Sequence, residues 1–310
     1  MPLHHHTPLL QSLALQERVN RPVWLKMDSA QPSASFKMRG MGLAAERAVA
    51  KGAHQLVSSS GGNAGYAVAC AGRALNVPVT VVVPSTTGER MRGLIASTGA
   101  TVQVAGSVWD EAHEAAMKLA KQSGGALLHP FDHPDIWEGN ATIIAEVQAA
   151  GVQPACVVVS VGGGGLLCGV LQGMEQAGWT DTRVLAVETR GAASFSAAME
   201  AGNPVEIPGI TSLAVTLGAR RVCDQVVRLS SQHDVHSLVV SDAAAVSACA
   251  QFLDDQRVLV EPSCSAALSV VYDQHPTLMA IDGPILVIVC GGAGVTRAQL
   301  DAWREQTTRL

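Results

Sequence analysis

Val161-Gly162-Gly163-Gly164-Gly165-Leu166-Leu167 follows the apolar run Cys156–Val161 and leads into an apolar stretch of helical length. A strand, a glycine loop and a helix in that order form the repeating unit of an α/β architecture. Such proteins place ligands at the carboxyl ends of their parallel strands. Four consecutive glycines let successive backbone N–H groups converge on one centre, with a helix N-terminus behind them. That arrangement is an anion nest. Leu167 stands where G-x-G-x-x-G needs its third glycine, and no Gly-Lys-Ser/Thr follows. The spacing therefore disfavours a dinucleotide or a nucleoside triphosphate. The loop holds no Lys or Arg, so neutral dipoles would bind any phosphate.

Outward from this unit the alternation continues. Short, Val-rich runs predict strands at Val23–Met27, Gln55–Ser58, Val79–Val83, Thr101–Val104, Ala126–His129, Val184–Glu188, Gln225–Leu229 and Ile285–Cys290. Most are apolar on both faces, as in buried parallel sheets. Helices are predicted at Arg39–Lys51, ending on Gly52, and at Ala64–Leu75. Two more are expected at Val108–Gln122, capped by Ser107, and at Asp242–Asp254, capped by its own aspartate. So many strands approach the limit of one open sheet. The expected fold is α/β with two open, twisted, mostly parallel sheets flanked by helices.

The chain has 310 residues, 48% apolar and 15% charged, with a net charge of −5. It can bury a sizeable core, and disorder is excluded over most of its length. The acidic balance and the absence of a basic stretch argue against nucleic acid, and no apolar run reaches membrane-spanning length. His4–His6 reads as a solvated N-terminal segment. The N-terminus has no charged region followed by an apolar one, so no signal peptide is expected. Seven scattered cysteines without a C-x-x-C pair argue against a zinc site or disulfide framework and favour a reducing, cytoplasmic setting.

Three further stretches carry chemistry. Ser58-Ser59-Ser60-Gly61-Gly62-Asn63-Ala64-Gly65 brings hydroxyls, an amide and backbone N–H groups to a helix start, which suits a carboxylate. Taken alone it is also an ordinary capped helix. Ser33-Ala34-Ser35-Phe36-Lys37-Met38-Arg39-Gly40 sets a lysine between apolar neighbours; partial burial would make it a Schiff-base amine, whereas the spacing alone favours a snorkelling surface lysine. Val289-Cys290-Gly291-Gly292-Ala293-Gly294 lets a flat ligand approach the backbone beside a thiol. Together they describe a phosphate, a carbonyl for a lysine and a carboxylate. Pyridoxal phosphate holding an amino acid has all three.

The sequence resembles the pyridoxal-phosphate serine/threonine dehydratases of fold type II, most closely the compact L-serine dehydratases without a regulatory domain. The resemblance covers nearly the whole chain. It runs through Leu25–Ser33, Ser35-Phe36-Lys37, Ser59–Gly65, Phe131-Asp132 and Ile136-Trp137-Glu138-Gly139. It continues through Ser160–Gly169, Leu259-Val260-Glu261-Pro262 and Val287–Gly292. It implies a large domain of residues 1–30 and 135–310 and a small one of 31–134. It implies Lys37 as the Schiff-base amine, Phe36 against one cofactor face and Asn63 on the ring hydroxyl. Ser59, Ser60, Gly61 and Asn63 would take the substrate carboxylate. Gly162, Gly163, Gly164, Gly165 and Leu166 would bind the phosphate, and Cys290 would face the pyridine nitrogen. A monovalent cation, potassium, would sit on Glu188 and carbonyls near Gly162, Ala192, Leu217 and Ala219. A homodimer is implied by the resemblance alone. Gly61 departs from the pattern, since many relatives carry alanine there.

The implied reaction is β-elimination from L-serine, and from L-threonine, to pyruvate or 2-oxobutyrate plus ammonia. Lys37 would remove the α-proton as general base. The leaving hydroxyl would take its proton from the cofactor phosphate, with Ser59 as helper. A thiol at the ring nitrogen is a weak donor, which suits prompt loss of the leaving group. A threonine-preferring dehydratase and a serine racemase are the nearest alternatives. A synthase that replaces the β-substituent and a non-catalytic binding protein are more distant ones. The chain stops soon after its last core strand, so an effector-binding domain is not expected.

Overall fold

The computed structural model describes residues 2–308. The elements run β1 (Leu9–Gln11), α1 (Leu13–Val19), β2 (Val23–Lys26), α2 (Lys37–Ala50), β3 (Leu56–Ser58), α3 (Asn63–Leu75), β4 (Val79–Val83) and α4 (Glu89–Ser97). Next come β5 (Thr101–Val104), α5 (Trp109–Ser123), β6 (Ala126–Leu128), α6 (Pro134–Ala149), β7 (Cys156–Ser160), α7 (Gly165–Ala177) and β8 (Arg183–Thr189). The rest is α8 (Ser194–Ala201), α9 (Asp224–Ser230), β9 (Val235–Val240), α10 (Asp242–Gln256), α11 (Pro262–Tyr272), α12 (Pro276–Met279), β10 (Ile285–Ile288) and α13 (Arg297–Thr308).

The chain divides into two compact units, Met1–His5 with Gln31–Gly139, and His6–Ala30 with Asn140–Leu310. Residues 1–5 and 135–139 thus fall in the smaller unit, although the sequence reading places them in the larger. Packing explains the shift. Leu3, Ile136 and Trp137 join the smaller unit's core, and Arg47 pairs with Asp135 and Glu138. The backbone of His5 exchanges two hydrogen bonds with the Gln31 amide, at 2.8 and 2.9 Å.

The smaller unit is a parallel sheet of four strands in the order β5-β4-β3-β6. Strand alternation divides its core. Leu56, Val79, Val81 and Val83 pack with α2 and α3. Val57 and Val82 point the other way and meet Ala112, Ala116 and Ala120, which recur every four residues along α5. The larger unit is a sheet of six strands, β1-β2-β10-β7-β8-β9, parallel except for β1 at one edge. Its central strands β7 and β10 are buried throughout.

Four local expectations are corrected. Gln225–Leu229 is not a strand but the body of α9. Val226 and Leu229 are its buried residues, one helical turn apart, and the Gln225 amide oxygen accepts from Arg228 at the same spacing. The strand in this region is β9, half-buried at an edge. Ser107 does not cap α5. The helix begins at Trp109, and Glu111 reaches back to accept the N–H groups of Ser107 and Val108. The cap of α10 is Ser241, whose Oγ accepts from the Ala244 N–H. β5 is an edge strand with exposed residues, not a buried one.

Candidate active site

Lys37 opens α2, after a turn in which Ala34 takes a left-handed φ of +54°. Its side chain is half-buried. Nζ donates to the Pro130 carbonyl at 2.8 Å and lies 5.0 Å from the centre of the Phe36 ring. The other lysine beside a recognised motif, Lys26, is fully buried in β2 and is paired with Glu146 and the Thr7 carbonyl. A buried ammonium tied to a carboxylate is a structural charge. Lys37 is half-buried and donates to the Pro130 carbonyl.

The Ser59–Asn63 loop leaves the end of β3. Ser59 is fully buried, and its Oγ lies 2.9 Å from Nδ1 of His113 on α5. Ser60 is half-buried; its N–H donates to the Ser58 hydroxyl and its Oγ accepts from the Gly62 N–H, both at 3.4 Å. Gly62 precedes α3 without a side-chain cap, which leaves the first-turn N–H groups directed at the loop. A methyl on Gly61 would lie 2.4 Å from the Thr87 hydroxyl oxygen, so Thr87 fills the place an alanine side chain would take.

In the larger unit, Val161–Gly164 joins β7 to α7. Gly164 has φ +93° and caps α7 with no side chain. The loop carbonyls are fastened from outside: Cys223 N–H donates to Gly163 O at 3.0 Å, and the Asn140 amide donates to Gly165 O at 2.9 Å. Gly164, at the N-cap, supplies no side-chain acceptor to the N–H groups at the head of this 13-residue helix. That is the donor set a phosphate needs, so the residues fit the phosphate end of pyridoxal phosphate.

Cys290 follows β10 and is buried. A hydrogen bond with Cys264, then burial, then the charges of Glu261 and Asp28 push its thiol well above the usual cysteine range. It is a neutral thiol. Glu261 shapes the loop beside it by accepting the Gly294 N–H at 2.8 Å and the Thr216 hydroxyl at 2.7 Å. None of the seven cysteines is in a disulfide. Glu188, on β8, is fully buried with one oxygen on the Phe195 N–H and the other on the Ser196 N–H, each at 2.8 Å. Burial pushes its carboxyl up to about 7, against the pull of those two donors. The Leu217 carbonyl oxygen accepts from the Ala219 N–H and packs against the glycine loop: a methyl on Gly162 would lie 3.2 Å from it. Among the described residues no group of three His, Cys, Asp or Glu side chains is placed to hold a metal.

Sequence reading missed His113, His129 and Asn140. His113 carried a signal: it follows Ala112 on α5, and Val57 fixes that Ser59 faces the same helix.

The pyridoxal-phosphate dependent enzyme family matches residues 1–291. Human L-serine dehydratase/L-threonine deaminase is 47% identical over 321 aligned positions, covering 100% of this chain and 98% of the human protein. A fungal L-serine ammonia-lyase from Rhizomucor miehei superposes with a TM-score of 0.94 at 37% identity, over 99% of both chains. Maize serine racemase superposes with a TM-score of 0.89 over 99% of this chain and 93% of its own, but at 22% identity that likeness shows the fold alone. With nearly its whole length matched, the chain belongs to the pyridoxal-phosphate dependent enzymes.

Proposed function

We propose that the chain is a lyase that converts L-serine to pyruvate and ammonia, and L-threonine to 2-oxobutyrate and ammonia. The observation that carries this reading is the 47% identity, end to end, with human L-serine dehydratase/L-threonine deaminase. Pyridoxal phosphate, when bound, supplies the electron sink that makes the α-proton of an amino acid removable.

The chain's own residues do the rest. Lys37 is the amine that joins the cofactor and the base that takes the α-proton. Half-burial at the head of α2 and the nearby Phe36 ring restrict where Nζ goes. Phe36 would pack on one face of the cofactor. The N–H groups of Gly162, Gly163, Gly164, Gly165 and Leu166 hold the phosphate without a cationic side chain. Ser59, Ser60, Gly61 and Asn63 would bind the substrate carboxylate, Ser59 would also help protonate the leaving hydroxyl, and Asn63 would also serve the ring hydroxyl. Cys290, whose thiol pKa is raised, would lie on the ring-nitrogen side of the cofactor and would fix no charge there. Potassium on Glu188 and the carbonyls of Gly162, Ala192, Leu217 and Ala219 completes the site. The enzyme works as a homodimer in the cytoplasm; free thiols suit that reducing compartment.

The test is an assay of pyruvate and 2-oxobutyrate formation from L-serine and L-threonine, with the cofactor absorbance recorded. Turnover of both is expected, and Lys37→Ala should lose about 10³-fold or more of kcat. No keto acid from either substrate overturns the reading; normal turnover in Lys37→Ala removes that residue from its role.

A further inference from the structure

Ser59 is held by a side chain that the reaction does not call for. Val57 faces α5, so Ser59, two residues on, faces it too. Among the described residues the Ser59 hydroxyl makes one hydrogen bond, to His113 Nδ1 at 2.9 Å. A fully buried hydroxyl must place its hydrogen on an acceptor. The Ser59 O–H therefore donates, Nδ1 accepts, and the neutral His113 ring carries its proton on Nε2.

The ring has little freedom to turn. Trp109, one turn earlier on α5, stacks on it at 4.6 Å and 15°. His129, just after β6, meets it edge-on at 6.2 Å and 85°. His129 is fixed in turn. Its Nδ1 accepts the N–H groups of Phe131 and Asp132, at 3.3 and 2.8 Å, and its ring meets Phe131 at 4.7 Å. This turn also presents the Pro130 carbonyl to Lys37.

We propose that His113 is a positioning residue: as a neutral ring it accepts the Ser59 proton and holds the 59–63 loop, and on protonation it releases that hold and weakens amino-acid binding. The inference rests on the reading of residues 59–63 as the carboxylate loop. An imidazolium carries hydrogens on both nitrogens. Nδ1–H would then point at the Ser59 O–H, the hydroxyl would have to turn, and its hydrogen would lose its acceptor in a buried place. Ser59 adjoins Ser60, whose N–H and Oγ make the loop's internal hydrogen bonds.

The surrounding charges set where this happens. Burial lowers the pKa of His113, and Asp110 on its own helix opposes that. His129 faces it from the segment after β6. Burial and the nearness of His113, Lys37 and His133 hold His129 at about 4.

Steady-state kinetics on the holoenzyme between pH 5 and 8 test the proposal, with the imidazole nitrogens read by nitrogen-15 NMR. For the wild type, KM for L-serine should rise at the acid end of that range, below the ordinary histidine value, because burial lowers the His113 pKa. His113→Phe keeps a ring on Trp109 but has no acceptor. Its KM at neutral pH should rise about fivefold, the worth of one hydrogen bond, with kcat nearly unchanged. His113→Asn puts an amide near the Nδ1 position and does not titrate. It should restore KM and abolish the acid rise. In the NMR spectrum, His113 Nδ1 should be unprotonated at neutral pH, and Ser59→Ala should raise the titration midpoint, because the lost bond favoured the neutral ring. A protonated Nδ1 in the neutral ring, or an acid rise that persists in His113→Asn, overturns the proposal. If the wild type turns over no amino acid, the functional reading fails, while the NMR result still decides the Ser59–His113 bond.

Discussion

Two strand–loop–helix junctions in this chain are rich in glycine for different reasons. In the larger unit, Gly164 has a left-handed φ of +93°, and the Gly163 and Gly165 carbonyls accept from the Cys223 N–H and the Asn140 amide. In the smaller unit, none of Gly61, Gly62 and Gly65 has a positive φ. Those glycines make room: a methyl on Gly65 would sit 1.8 Å from the Ser60 carbonyl oxygen, and one on Gly61 would strike Thr87. The first loop offers backbone dipoles that no pH change in the working range alters. The second presents hydroxyls whose orientation depends on neighbouring side chains. A phosphate calls for the first kind of loop, while a substrate that must enter and leave is served by the second.

The sharpest way to break this comparison is to add a methyl to each loop. Gly65→Ala meets backbone on a buried helix and should destabilise by roughly 4 kcal/mol. Gly164→Ala combines a disfavoured φ with a 2.8 Å approach to Val226 and should lose about 3 kcal/mol together with cofactor retention. Denaturant unfolding and the cofactor absorbance after gel filtration measure the two effects. Equal and small losses at both positions would remove the distinction.

A second test concerns the charge nearest the backbone loop in the sheet. Val161 N–H donates to the Val187 carbonyl, and Glu188 follows it. The Glu188 carboxyl is held at about 7, mainly by burial, against an ordinary 4.5. Between those values the folded chain binds more protons than the unfolded one, so stability must fall as pH rises. The fall should approach roughly 3 kcal/mol across that window and then level off. Glu188→Gln should flatten it. A potassium ion beside the carboxylate would lower its pKa, so the loss should be smaller in potassium chloride than in tetramethylammonium chloride of equal strength. Identical unfolding curves in the two salts would count against the cation.

Much of this was legible from residues. The tetraglycine turn between β7 and α7 and the Val-rich runs of β4 and β7 announce themselves, because buried parallel strands and glycine loops leave local signatures. What was not legible depends on partners distant in sequence. Gln225–Leu229 has as many apolar residues as a short strand, and only the burial of Val226 and Leu229 one turn apart reveals a helix. β1 is three residues long, one of them partly buried, and owes its existence to β2. The Ser59–His113 bond spans 54 positions, and nothing local to either residue requires it. The neutral state of Cys290 depends on Cys264 and Glu261, which lie on a different stretch of chain.

The smallest effect is the most informative about the smaller unit's loop. Gly61→Ala brings its methyl against a side chain, not backbone, and Thr87 is half-buried with some freedom to move. It should therefore destabilise by only about 1 kcal/mol. Thr87→Gly removes the opposing atoms. In a double-mutant cycle most of that loss should vanish when both changes are present, an interaction of about 1 kcal/mol between contacting residues. Additive single effects would mean that Thr87 does not occupy the place of the missing methyl. A favourable coupling would show that residue 61 and residue 87 are chosen together. The departure at Gly61 would then be a repacking of the loop's outer side, with the loop's hydrogen bonds left as they are.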